Sequence, residues 1–326
     1  MLTRRMALTG GLVAATAPAL ALAGGSWEQF LAGVRVEARR KGVSEATLNA
    51  ALGHIQPLPR VLELDAHQPE FEMTWAQYRT RIVSADRVAT GRKHYLANRA
   101  LLHEIEQRYG VPIGTLVGIW GLESNYGAST GGFNVIESLA TLSYQGRRTA
   151  FFRSELMDAL KIANSGDIPA ARMTGSYAGA MGQTQFMPDS FLKYAVSWNG
   201  GPRDIWGDLG SVFASTANYL AREGWQPGLA WGEKVRAPAT VSSYDVGRDH
   251  RRPAGEWARM GVTRADGRPL AVPAETSTAL LMPGGQNDAS ETYVAYYPSF
   301  LAIRRYNPSD FYCICVGLIG DAVIAG

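Results

Sequence analysis

Apolar positions recur at helical spacing along most of the chain, and they mark where its elements start and stop. Between Trp27 and Tyr109 the pattern is helical and charged, predicting helices over residues 26–41, 44–52, 84–98 and 99–109. Ser44 with Thr47 three residues on makes a partial capping pattern. Residues 56–59 and 67–69 read as extended breaks, because the residue before a proline is pushed out of the helical region. Phe71, Trp75 and Tyr78 are spaced like one helix face. Residues 111–127 are strongly apolar and predict a bounded helix, with Pro112 suited to its first turn and Gly127 to a left-handed stop. Further on, residues 138–166 contain an amphipathic helix over 149–164. Residues 208–223 carry Leu209, Val212, Phe213 and Leu220 on one face, with Gly224 at the end. Residues 228–290 are rich in Pro, Gly and Arg, and the strand-like runs 278–282 and 292–297 predict a small sheet. Residues 311–324 read as a closing apolar helix.

Composition narrows this picture without changing it. The chain has 326 residues, 46% hydrophobic and 19% charged, enough for one large domain or two. Its formal net charge is +3, and two of those positives, Arg4 and Arg5, sit in a leader-like stretch. That balance argues against nucleic acid as a partner. Residues 1–23 read as an export signal, with Arg4-Arg5, an apolar run, and Ala21-Leu22-Ala23 as a small-x-small cleavage site. The arginine pair fits either the twin-arginine or the general secretory route. No Cys lies near the cleavage site, so no lipid anchor is expected and the mature protein is expected to be soluble. Cys313 and Cys315 point to different faces of a helix and read as packing residues, since two Cys support neither a disulfide framework nor a zinc site.

The candidate chemistry centres on Glu123. Helical steps back from it land on Trp120, Ile119 and Leu116, so the acid shares a face with residues that must be buried. Burial raises a carboxyl pKa, and an acid protonated near neutral pH can act as a general acid. For a lone Glu at a helix end the solvated or Arg-paired reading wins, and only the company it keeps downstream changes that. Downstream, the Gly- and Ala-rich stretch 175–188, GSYAGAMGQTQFMP, leaves backbone groups open to a polar ligand and adds Ser176, Gln183 and Gln185 as hydrogen-bonding side chains. Tight packing or a turn explains such a stretch equally well.

Taken together, ESNYG and GSYAGAMGQTQFMP resemble the catalytic domain of the B-type lytic murein transglycosylases, lysozyme-like bacterial enzymes that cleave peptidoglycan strands. The resemblance runs from about Trp27 to the C-terminus and includes QPEF at 68–71, GRR at 146–148, DIW at 204–206, NYL at 218–220 and RYNPS at 305–309. It implies a mainly α fold with a lysozyme-like core, an additional helical region and a small β insertion. Residues 24–326 would form the catalytic region, parted into helical residues 24–110, a core over 111–227 and a β part with closing helix over 228–326. It implies a periplasmic enzyme whose single acid, Glu123, protonates the leaving oxygen and then takes a proton from the muramic C6 hydroxyl, closing a 1,6-anhydro ring.

The same resemblance places Tyr78, Arg147, Arg148, Ser176, Gln185, Tyr219, Tyr306, Asn307 and Tyr312 in the sugar groove, with Tyr78 stacking on a pyranose and the two arginines taking peptide-stem or lactyl carboxylates. Read alone, each is equally a packing, turn or surface residue. Some members carry a calcium loop before DIW, but residues 197–204 here hold one acid, Asp204, so no metal or other cofactor is expected. Two rivals stay open. A hydrolytic muramidase would need a second carboxylate such as Glu137 or Asp189, and a non-catalytic peptidoglycan-binding protein would need no acid.

Overall fold

A computed structural model describes residues 25–66, 73–285 and 291–325. The leader 1–23, the QPEF segment and Phe71 lie outside the described residues. The chain forms two compact units, each drawn from two separate stretches: one from the described residues before Phe71 with Gly127–Val212, the other from those of Phe71–Tyr126 and Phe213–Gly326. The fold is predominantly helical, as the periodicity predicts. No helix among the described residues is long and apolar enough to cross a membrane.

In the first unit, helix Trp27–Arg40 starts at a capping box in which Ser26 and Gln29 each accept the other's backbone N–H. Ser44 caps Glu45–Leu52 by accepting the Thr47 N–H. The predicted break at 56–59 needs correction: Pro59 opens a helix, Pro59–Ala66, because a first-turn proline gives up an N–H that would have had no partner. Gln56 and Leu58 donate their N–H groups to Glu137 Oε1 and Thr141 Oγ1, which ties that helix to Val135–Gln145. Val135–Gln145 packs on Thr149–Asn164 around Leu139, Leu142, Phe152, Leu156 and Leu160, all fully buried. Two short strands, β1 (Phe133–Asn134) and β2 (Thr174–Gly175), pair antiparallel and set up the Gly/Ala-rich stretch that follows.

Behind that stretch lies Glu155, a buried carboxylate on Thr149–Asn164. It accepts the backbone N–H of Asp189 at 3.1 Å, at the start of helix Pro188–Tyr194. Burial pushes its pKa up to about 7, against the opposing pull of that hydrogen bond. Asp189 itself makes no cap and pairs with Lys193 one turn on.

In the second unit, a five-stranded antiparallel sheet runs in the order β4-β6-β7-β3-β5, with β3 Gly232–Arg236, β4 Arg252–Pro253, β5 Thr263–Arg264, β6 Ser277–Leu281 and β7 Thr292–Tyr296. Because strand side chains alternate, Val294 and Tyr296 enter a core with Val235, Leu280 and Trp257, while Tyr293 points the other way onto Trp75 and Trp231. Both faces of β7 are therefore buried. Two helices that the sequence pattern does not mark, Ala254–Arg259 and Ser299–Tyr306, flank the sheet.

The centre of this unit is the pairing of Ile113–Ser124 with the C-terminal helix Asp310–Ile324. Glycines let the two backbones nearly touch. A Cβ on Gly118 would lie 2.3 Å from the Val316 carbonyl oxygen, and one on Gly320 would lie 2.3 Å from that of Gly114. Cys313 and Cys315 are free thiols buried in this helix, as packing residues should be.

Candidate active site

Helix Ile113–Ser124 is buried from Ile113 through Gly121, and Glu123 emerges half-buried at its last turn. The helix stops earlier than its expected end at Gly127. Asn125, Tyr126 and Gly127 take positive φ values of 50°, 59° and 85° in succession. Two consecutive non-glycine residues in the left-handed region are costly and persist only where the surroundings enforce them. Here Tyr126 is buried, its hydroxyl donates to the Arg87 carbonyl at 2.9 Å, and its ring covers Gly121, where a Cβ would come within 2.8 Å. The fold thus spends strain to end the helix one residue after the acid.

The Glu123 carboxylate accepts a hydrogen bond from the Tyr312 hydroxyl at 2.8 Å. Tyr312 is buried on the first turn of Asp310–Ile324, where Ser309 caps the helix by accepting the Tyr312 N–H and Asn307 Oδ1 accepts the Ser309 N–H at 3.1 Å. Tyr78, on helix Trp75–Ile82, is buried against Phe311. Its hydroxyl is pushed well above the usual range by burial first, then by the Cys315 thiol and the Glu123 carboxylate. Tyr306 meets Tyr219 edge to face at 4.8 Å, and the Tyr219 hydroxyl donates to the Arg305 carbonyl at 2.6 Å. Five of the residues singled out from sequence, Tyr78, Glu123, Tyr219, Tyr306 and Tyr312, therefore lie in one unit with Asn307.

Ser176, Gln185, Arg147 and Arg148 belong to the other unit. Ser176 Oγ accepts the N–H groups of Ala178 and Ala180, holding a tight turn. Gln185 is buried with φ 53°, and its amide donates to the carbonyls of Thr130 and Gly182. Gln183 donates to the Trp206 carbonyl, and Trp206 returns its indole N–H to Thr174, so the DIW segment buttresses the stretch. Arg147 is held by Asp65, to which its guanidinium and backbone N–H both donate. Arg148 lies over the rings of Phe151 and Phe152, at 5.0 and 5.2 Å.

The loop before DIW is closed by an internal cation. Arg203 donates to both oxygens of Asp167, at 3.0 and 2.6 Å, and its backbone N–H donates to the same carboxylate. Asp204 accepts the N–H groups of Trp206 and Gly207, and Asp208 those of Gly210 and Ser211. The carboxylates of Asp204 and Asp208 thus serve backbone donors, and that of Asp167 an arginine. Among the described residues no group of three or more His, Cys, Asp or Glu is placed to hold a metal. The pattern read from sequence did not mark Arg203; its carboxylate partner lies 36 residues away.

Residues 26–321 match a family model described as the transglycosylase SLT domain. The chain is 32% identical over 255 residues to membrane-bound lytic murein transglycosylase B of Escherichia coli K12, covering 76% of this chain and 67% of that protein. Pseudomonas aeruginosa SltB3, solved with NAG-NAM-pentapeptide, superposes with a TM-score of 0.88 at 41% identity, over 93% of this chain and 81% of that one. Soluble lytic transglycosylase SltB1 of the same organism gives 0.78 at 28%, over 91% and 98%. A motif pair, a mainly helical fold and a matched family model spanning nearly the whole chain all agree: this chain belongs to the transglycosylase SLT domain family, among the B-type lytic murein transglycosylases.

Proposed function

We propose that this transglycosylase cleaves the β-1,4 bond between N-acetylmuramic acid and N-acetylglucosamine with Glu123 as its one proton carrier. The observation that carries the reading is the Glu123 carboxylate, half-buried at the end of a buried helix and held by the Tyr312 hydroxyl. Protonated Glu123 donates to the glycosidic oxygen as the C1–O bond breaks. The carboxylate left behind takes the proton of the muramic C6 hydroxyl as that oxygen attacks C1. Glu123 ends protonated again, so the cycle closes without water. The Tyr312 hydrogen bond fixes the carboxylate's direction and eases its charge after the first transfer.

A hydrolase would need a second carboxylate at the bond. The two candidates for that role are engaged elsewhere: Glu137 accepts the Gln56 N–H, and Asp189 pairs with Lys193. The Pseudomonas aeruginosa SltB3 also solved with NAG-anhNAM-pentapeptide supports the anhydro product. Ser176, Gln185, Arg147, Arg148, Tyr78, Tyr219, Tyr306, Asn307 and Tyr312 bind substrate in this reading, and residues 1–23 direct export to the periplasm. Mass spectrometry of digested peptidoglycan tests it. Anhydro-ended fragments are one water lighter than hydrolysis products, and reducing ends in their place would favour the muramidase.

No calcium is required, because Arg203 supplies the charge at residues 197–204. Thermal melts with calcium and with chelator should coincide. A calcium-dependent rise in Tm would contradict this.

A further inference from the structure

Three arginines gather in the second unit where nothing in the reaction above uses them. Arg248 and Arg251 come from the loop leading into β4, and Arg304 from helix Ser299–Tyr306. Arg304 is largely buried and hydrogen-bonds Asp310, which Arg248 also approaches at 3.5 Å. Arg251 lies over the ring of Tyr297, 3.9 Å from its centroid, and its Nε donates to the Arg248 carbonyl. Arg304 and Arg248 share Asp310, Arg248 also meets the exposed Asp249 at 3.8 Å, and Arg251 pairs with no carboxylate among the described residues. The positive charge is not balanced locally.

A second observation points to a missing acceptor. Tyr297 is 6% exposed, and among the described residues its buried hydroxyl has no hydrogen-bond partner. Such an orphan costs free energy in an apolar surround, and here Arg251, Arg304 and Arg248 are the charged groups acting on it. Donors of this kind, an O–H beside guanidinium forks, match an oxyanion, above all a carboxylate taken by two N–H groups at once.

We propose that Arg248, Arg251 and Arg304, beside the Tyr297 hydroxyl, form an anion subsite that takes a carboxylate of the peptide stem carried by the glycan strand. The proposal rests on the transglycosylase reading and adds the substituent that it recognises. Asp310, which organises the arginines, stands two residues before Tyr312, the partner of Glu123. An extended stem advances about 3.3–3.6 Å per residue, and that sets the reach the subsite asks of it.

The test compares purified glycan strands bearing stems with the same strands stripped of stems by an amidase. The ratio of kcat/KM between the two substrates is measured for the wild type, Arg251→Ala, Arg248→Ala and Arg251→Lys, with melting curves confirming that each folds. The wild type should prefer stem-bearing strands. That preference should fall about tenfold in each alanine variant, chiefly through KM, and return in good part with lysine. A wild-type ratio in both alanine variants would overturn the subsite, as would equal cleavage of both strands by the wild type. If the wild type cleaves neither strand, the transglycosylase reading falls, and the subsite falls with it.

Discussion

Glu123→Gln should fold normally and lose turnover by roughly two to four orders of magnitude or more, because the amide keeps the shape and the Tyr312 hydrogen bond but cannot pass a proton. Among the changes considered, it carries the largest expected loss of rate. Its Tm should stay close to wild type, since the half-buried carboxylate makes its bond to Tyr312 through an oxygen that glutamine retains. The pairing of a normal melt with a lost rate separates chemistry from folding. Near-normal turnover by a folded Gln variant would sink the assignment of Glu123.

Gly118→Ala should have the largest effect on the scaffold. Its Cβ would sit 2.3 Å from the Val316 carbonyl oxygen, an approach that a backbone atom cannot yield without moving the helix. Overpacking of this kind costs about 1–3 kcal/mol and occasionally more. The helix that must move carries Tyr312, so the substitution displaces the group that aims Glu123. A misplacement of about 1 Å can cost on the order of 100-fold in rate. Gly132→Ala is the control, because nothing lies within 4 Å of the added Cβ, and it should change stability by no more than about 0.5 kcal/mol. Equal melting temperatures for the two variants would contradict this account of the helix pair.

Much of this architecture could be read along the chain where burial is periodic. Helices Arg99–Tyr109 and Thr149–Asn164 begin and end where the pattern puts them, and the closing helix starts one residue early, at Asp310. Strand β3, by contrast, reads GEKVR and buries little beyond Gly232 and Val235, so it offers no alternation to detect. Pro59 misled for a physical reason, since the ring that ends one helix can open another. Glu123 stood out through its apolar helix, but its partner Tyr312 lies 189 residues away. The same holds for Gly118 against Val316, whose close approach depends on a packing that no local pattern encodes. Chain order also hides that the two compact units are interleaved.

Digestion of purified peptidoglycan in heavy-oxygen water tests the central claim, that Glu123 drives an intramolecular ring closure, most directly. The tethered C6 hydroxyl has the effective-concentration advantage over water, so the products should carry no label, show no new reducing ends and weigh one water less than hydrolysis fragments. Heavy oxygen at a reducing C1 would mean that water attacked, and would contradict it.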